Sequence, residues 1–453
     1  MELPDDLEES ALVRQTREAL EAWPYRLGMS FYKAGISAFF AGGGLSWLKK
    51  KYKVGLEERM GLFGTDVPKN ALWVHAVSVG EVQSALSLIG EAKKRSNLKS
   101  LPCVLSTVTA TGRAMGEKLT PEAKMIYNPW DTPRFVKRAL DTLAPRAYVA
   151  METERWPVML AELHARGIPA FLANGRLSPE SAKKLRRQRT FWRGVLCCFD
   201  RLMVRFESDK EEFSSLGVPE EKIVVTGDCK IDAMLARKAE MDAGKNEGKN
   251  QQENDRLRRR LRNGDAPLFL AGSTHPGEDE VVLTAFAKVR GACPGARLII
   301  VPRHPQRALY VVAEALPYGK VDLFTNLRPD WDIAVVDKIG VLFELYAAAA
   351  AAFVGGSLVP KGGQNLMEPA LFGIQAAHGP DMSNFPDAGR MDALGAARTV
   401  RSAAQLAEAW LSALEPDAKT RAKQACESYF SSVGGAASRS WDVVTEYAGL
   451  GEI

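Results

Sequence analysis

Residues 353–369 read FVGGSLVPKGGQNLMEP. An apolar run ends in Gly355 and Gly356, passes Ser357 and a second pair, Gly362 and Gly363, and reaches Asn365 and Glu368 directly before Pro369. Paired glycines let a backbone come close to a ligand, because no Cβ stands in the way. A glutamate at the start of the following helix is placed to accept hydrogen bonds from sugar hydroxyls, so the stretch fits an activated sugar nucleotide. It fits an ordinary strand and glycine loop equally well, and the surrounding sequence has to decide.

Working outward, one rhythm repeats. Apolar runs at 268–271, 297–301, 333–336, 351–354 and 375–377 predict strands separated by helix-periodic segments. The same alternation occupies the first half, with strands predicted at 72–77, 102–108, 146–151, 169–173, 201–205 and 223–226. Alternating β and α units build parallel sheets covered by helices, so an α/β chain with two doubly wound, Rossmann-type domains is expected. Ligands of such sheets sit beyond the carboxyl ends of the strands, which places the strand-end loops of both domains on an expected cleft. Between the halves, GKNEGKNQQENDRLRRRLRNGD at 244–265 is polar and highly charged. The resulting organisation is an N-terminal arm at 1–64, a first domain at 65–238, a linker at 239–265, a second domain at 266–415 and a helical tail at 416–453. That tail either caps the second domain or crosses back to the first.

The 453 residues allow two or three domains with large cores, and 46% hydrophobic with 25% charged residues is ordinary globular composition. A net charge of +5 does not indicate wholesale nucleic-acid binding. Six cysteines without CxxC spacing and five isolated histidines suggest neither a disulfide framework nor a metal site. The N-terminus opens on Glu2, Asp5, Asp6, Glu8 and Glu9, unlike a cleaved signal peptide. Residues 34–48 are uncharged, apolar and glycine-rich, and Lys49, Lys50, Lys51 and Lys53 follow. The stretch is shorter than the roughly 18–20 residues that span a bilayer. It reads as an interfacial helix with its lysines on anionic headgroups, or as a helix packed on its own domain.

The strand-end loops carry the chemistry. In WVHAVSVGE (73–81) the carboxylate of Glu81 opens a helix, where the helix dipole favours the ionised, proton-accepting form; a simple helix-start carboxylate is the alternative. METERWP (151–157) sets Glu152 and Glu154 beside Trp156. These carboxylates either hold a hydroxylated substrate and balance developing positive charge, or pair with Arg155 or Arg176. STVTATG (106–112) offers hydroxyls such as Thr109 at a helix start, and TGDCKID (226–232) places Lys230 after a strand. The basic run at 183–193, with Lys183, Arg186, Phe191 and Trp192, is a solvated face or a surface for an anionic acceptor. In the second half, GSTHPGE (272–278) presents Ser273, Thr274, His275 and local amides for a phosphate, and VPRHPQR (301–307) supplies Arg303 and His304. Neither loop has P-loop spacing, and the lack of an acidic cluster argues against a divalent ion.

In this order, WVHAVSVGE, STVTATG, METERWP, ANGRLS, TGDCK, AGSTHPGE, VPRHPQR and FVGGSLVPKGGQNLMEP closely resemble the signatures of 3-deoxy-D-manno-octulosonate (Kdo) transferases. The resemblance runs from about Gly61 to Pro380. It implies a GT-B-like fold, inverting transfer of Kdo from CMP-Kdo to the 6′-hydroxyl of the lipid A precursor, no metal, and a place on the cytoplasmic face of the inner membrane. It implies Glu81 as catalytic base, with Glu152 or Glu154 and Lys230 supporting the transition state. Pro302, Arg303, Ile339, Gly340, Val341, Asn365, Leu366, Met367 and Glu368 match CMP contacts, and Thr109, Arg176, Lys183 and Arg186 stand on the acceptor side. The short apolar N-terminal stretch corresponds to the family's membrane anchor. The chain departs from the family pattern at Asp228–Cys229, Val341, Lys361 and Gln364. Two other classes share such an architecture: a sugar-nucleotide epimerase, and a non-catalytic nucleotide-binding membrane protein.

Overall fold

The computed structural model describes residues 11–52, 54–120, 122–243, 261 and 266–449; the side chains of Lys49 and Lys51 lie outside this description. Lys53, the acidic start and most of the expected linker also fall outside the described residues. The chain divides into two compact units, Met1–Ala233 with Gly434–Ile453, and Met234–Val433.

In the first unit seven strands run parallel: β1 (Leu72–His75), β2 (Cys103–Thr107), β3 (Ala123–Tyr127), β4 (Ala147–Met151), β5 (Ala170–Gly175), β6 (Arg201–Val204) and β7 (Ile223–Val225), ordered β3-β2-β1-β4-β5-β6-β7. Leu72 lies beside Cys103 on one side and Ala147 on the other. A central parallel strand is covered on both faces, so its residues are apolar without strict alternation. Trp73, Tyr148 and Leu172 enter one core, whereas Leu72, Val74 and Phe171 enter the other.

The second unit repeats the plan with β8 (Leu268–Thr274), β9 (Arg297–Pro302), β10 (Val321–Leu323), β11 (Ile333–Val335), β12 (Ala351–Val354), β13 (Ala376–His378) and β14 (Ala397–Thr399), ordered β10-β11-β9-β8-β12-β13-β14. Three strands escape the sequence reading: β3, β10 and β14. All are sheet edges, paired on one side only. β3 carries Lys124 in its middle, while β10 and β14 are only three residues long.

The N-terminal arm is helical and two-faced. Helix Trp23–Phe39 buries Tyr25 and Met29 in the core beside Trp73. The approach is close: a Cβ on Gly194 would stand 2.2 Å from the Tyr25 ring, and one on Gly28 would stand 2.6 Å from Phe191. Phe191 and Trp192 therefore pack against this core, while Lys183, Lys184, Arg186, Arg187 and Arg189 of that run are exposed. The outward face presents Trp23, Leu27 and Phe31, 70%, 43% and 70% exposed, at i, i+4 and i+8. The helix turns at 40–44, where Gly43 has φ +95°, and resumes at Leu45–Lys51. The exposed apolar stripe thus begins before the 34–48 stretch singled out in the sequence.

At the other terminus the expected single tail is two helices. Pro416–Val433 belongs to the second unit, and Ala436–Ala448 returns to the first. Trp441 is buried there, and its Nε1 donates to the Leu88 carbonyl at 2.7 Å. Asp232 accepts from the amides of Gly435 and Ala437 at the start of this helix. Trp441→Ala should lower stability by about 3–5 kcal/mol, whereas Leu309→Ala, at an exposed position, should change it by about 0.5 kcal/mol or less; denaturant unfolding of both variants checks the contrast.

Candidate functional site

At the carboxyl ends of β1 and β4 the first unit gathers three carboxylates, Glu81, Glu152 and Glu154, and the end of β5 adds Arg176. Ser78 and Glu81 form a capping box at the start of helix Val79–Lys94. Glu81 Oε2 accepts from the amides of Val77 (2.5 Å) and Ser78 (3.1 Å). The turn is gripped from its other side as well, because the hydroxyls of Thr107 and Thr109 both donate to the Val77 carbonyl. Thr109 also accepts from the Gly112 amide, so its hydroxyl organises this turn. Burial raises the Glu81 carboxyl above its ordinary value against the pull of the two amides; the Glu152 charge adds to the rise and Arg176 opposes it. Burial thus outweighs the helix-start effect expected from position alone.

Glu152 is buried and holds a left-handed φ of +54°. Its oxygens meet Lys230 Nζ at 2.7 Å and Arg176 Nε at 2.7 Å. Both cations are partly exposed, so a buried carboxylate aims two positive charges outward. Lys230 is set in turn by the helix Cys229–Asp242, whose start is held by Asn174 accepting from the Cys229 amide at 2.8 Å. Of the two pairings open in the sequence, the one with Arg176 forms.

Glu154 accepts from Trp156 Nε1 at 2.8 Å and lies 3.8 Å from His75 Nε2. Burial, then the Glu81 charge, raise its carboxyl to about 7, while the Trp156 hydrogen bond opposes. His75 is buried beside Ser106, and desolvation drives it down to about 3, so it is neutral. Lys183 is exposed, and Arg186 bonds to Glu212 and Ser215. Among the described residues no ion pair or hydrogen bond joins either of them to the carboxylate cluster.

The second unit contains an open pocket of about 320 Å³ lined by Arg237, Ser273, Arg303, Gly340, Leu342, Phe343, Tyr346, Val354, Gln364, Asn365 and Glu368. Five of these, Ser273, Arg303, Gly340, Asn365 and Glu368, were expected from sequence. Burial raises the Glu368 carboxyl, with Arg237 opposing. Arg237, held by Glu344 at 2.6 Å and lying 4.0 Å over the Phe343 ring, was missed, as were Phe343 and Tyr346. No local motif marks them; the aromatic pair inside a short apolar helix is the only hint.

Several expected donor contacts have other partners. The amides of Gly356 and Ser357 donate to Glu278, and Thr274 donates to Asp279 at 2.7 Å. Ser357 is buried, donating to the Val354 carbonyl and accepting from the Gly379 amide. Gly362 bonds to Asp381, Gly363 to the Gly356 carbonyl, and the Met367 amide to Asn365. Pro302 and Leu366 are buried, Ile339 is 83% exposed, and Val341 precedes helix Leu342–Tyr346. His275 and His304 face each other edge-on at 6.1 Å, outside the pocket lining. Of the amide cradle expected at 272–278, the His275 amide is thus taken by Glu278, which also holds the amides of Gly356 and Ser357. Among the described residues no group of three or more His, Cys, Asp or Glu is arranged to hold a metal ion.

A family model described as 3-deoxy-D-manno-octulosonic-acid transferase (kdotransferase) matches residues 54–233. The 3-deoxy-D-manno-octulosonic acid transferase of Haemophilus influenzae is 31% identical over 357 residues, 77% of this chain and 80% of that protein. The Bordetella pertussis protein of the same description is 31% identical over 395 residues, 83% and 87% of the two chains. Among solved structures, the UDP-GlcNAc 2-epimerase of Neisseria meningitidis covers 83% of this chain and 100% of its own, with a TM-score of 0.59 at 12% identity. That likeness shows the fold: two Rossmann-type units of the GT-B class. The chain belongs to the Kdo transferase family, glycosyltransferases that act in lipopolysaccharide biosynthesis.

The raised Glu154 carboxyl has a consequence for stability. A carboxyl that holds its proton more tightly in the folded state stabilises that state below its ordinary 4.5, and this contribution is lost as pH rises through about 7. Glu154→Gln removes the loss, so the melting midpoint of the variant relative to the parent should rise between pH 5 and pH 8. A pH-independent difference between the two melting curves would show that Glu154 is ionised throughout.

Proposed function

We propose that the chain transfers Kdo from CMP-Kdo to the 6′-hydroxyl of a lipid A precursor with inversion, Glu81 acting as general base. The reading is carried by the buried Glu81, fixed by two backbone amides with its proton affinity raised, in a chain of the Kdo transferase family. As the acceptor oxygen bonds to C2 of Kdo, its proton passes to Glu81. The C2–O bond to phosphate breaks, and CMP departs with the electron pair. A general base supplies about 10²–10⁴-fold, and positioning with charge stabilisation supplies the remainder. Glu152 acts through the cations it aims, with Lys230 supporting the transition state and Arg176 facing the acceptor. Lys183 and Arg186 extend that basic acceptor side.

The pocket of the second unit takes the cytidine monophosphate end of the donor. Arg303 and Ser273 face the phosphate, Phe343 and Tyr346 form the apolar wall, and Glu368 accepts from hydroxyls. In this reading Arg303, rather than a divalent ion, meets the charge on the departing phosphate. The stripe of Trp23, Leu27 and Phe31 rests on the cytoplasmic face of the inner membrane, near the lipid acceptor. Among the described residues no helix is long and apolar enough to cross a bilayer, which suits a helix lying in the interface.

Glu81→Gln should reduce transfer by at least about 10²-fold while CMP-Kdo binding stays within about twofold; mass spectrometry of the lipid product and calorimetry measure the two. Turnover near the parental rate would remove Glu81 from its role. Changing Trp23, Leu27 and Phe31 together to Ser should release the protein from anionic phospholipid vesicles on sedimentation and leave transfer to detergent-dispersed acceptor largely intact. Undiminished co-sedimentation would end the membrane reading.

A further inference from the structure

Glu278 is fully buried, and its carboxylate is surrounded by backbone amides. Oε2 accepts from His275 at 2.9 Å and Gly356 at 2.7 Å, and Oε1 accepts from Ser357 at 3.0 Å and Leu358 at 2.9 Å. One side chain at the end of the 272–278 turn thereby occupies three consecutive amides of the 355–358 loop. The two segments touch so closely that a Cβ on Gly355 would stand 2.6 Å from the Ser273 carbonyl oxygen and 2.8 Å from Glu278 itself.

The turn above this junction is strained. The β8–β9 register slips between Gly272 and Thr274, and Ser273 takes a left-handed φ of +57°. A serine persists there only if its surroundings over-determine it. Thr274 Oγ1 donates to Asp279, Arg307 pairs with Asp279, and the Arg303 amide donates to the Thr274 carbonyl. Ser273 and Arg303 both line the pocket, so this scaffold sets the geometry of two ligand-facing groups.

We propose that Glu278 is a positioning residue of the donor pocket: as an internal anion it saturates the amides of 356–358 and clamps that loop to the turn bearing Ser273. The donor phosphate is consequently met by side chains, Arg303 and Ser273, and not by the glycine-loop amides. The proposal rests on the reading of this pocket as the CMP-Kdo site.

Hydrogen exchange on the full chain, with and without CMP, tests it without any substitution. The 355–358 amides should be protected in the free protein and gain little on adding CMP. Fast exchange in the free protein, with protection appearing only when CMP binds, would overturn the proposal. Glu278→Gln turns one acceptor oxygen into an amide donor facing N–H groups. It should raise the KM for CMP-Kdo and the Kd for CMP by tenfold or more, with kcat within about threefold. Glu278→Asp, which keeps the charge, should recover part of that loss. Parental KM and Kd in both variants would overturn the positioning role, as would a fall in kcat alone. If Glu278→Gln does not fold, Glu278→Asp and the exchange pattern of the unaltered protein decide. A parental protein that binds no CMP refutes the donor-site reading, while its exchange pattern still reports whether the clamp exists.

Discussion

A carboxylate removed from water must be met by donors, and this requirement shapes the ends of both sheets. Leaving such a group unpaired costs several kcal/mol, so each buried acid binds neighbouring segments to itself. Glu81 takes the amides of Val77 and Ser78 and closes the turn after β1. Asp131 takes the amides of Val158 and Met159 together with the Tyr32 hydroxyl, which ties the N-terminal arm to the helix behind the METERWP loop. Burial raises the Asp131 carboxyl to about 6 even with these donors. Glu152 takes two cations, and Glu278 takes four amides.

The partners chosen decide what each acid can do. Glu278, enclosed by amides, is structural in its own right and acts on the pocket through the loops it joins. Glu152 turns buried negative charge into two outward positive ones. Burial raises both the Glu81 and the Glu154 carboxyls, with the Glu152 charge adding to the first and the Glu81 charge to the second. Backbone strain collects at the same strand ends: Glu152, Asn174 and Ser273 all have left-handed φ values. Each such residue costs of order 1–3 kcal/mol; Glu152 and Asn174 are bridged to neighbouring segments by ion pairs and a hydrogen bond, and Ser273 sits beside Thr274, which is anchored to Asp279.

Interior strands were legible because residues covered on both faces must be apolar, as in β4 (AYVAM) and β9 (RLIIVP). Three of the four edges, β3, β10 and β14, were missed, because one-sided pairing relaxes that demand, as at Lys124 in the middle of β3; the edge strand β7 was read. The strand-end loops were legible as motifs, and four residues named from them, Ser273, Arg303, Asn365 and Glu368, line the second unit's pocket, with Gly340 added by the family resemblance. Arg237 and Phe343 were not, since a cation stacked on a ring across distant segments leaves no spacing to read. Paired glycines at 355–356 suggested a close approach to a ligand, but a run of glycines does not reveal which acceptor its N–H groups find.

Periodicity was sufficient for two parallel α/β units, because burial acts on neighbouring residues, and the ordered loop motifs located the acids and arginines and carried the resemblance to Kdo transferases. Which acid faces an amide, which faces a cation and which keeps its proton near neutral pH emerged only from folding. Those outcomes depend on groups far apart in the chain, such as Glu278 with Gly356 or Glu152 with Lys230, and on desolvation that exists only once the sheets are packed.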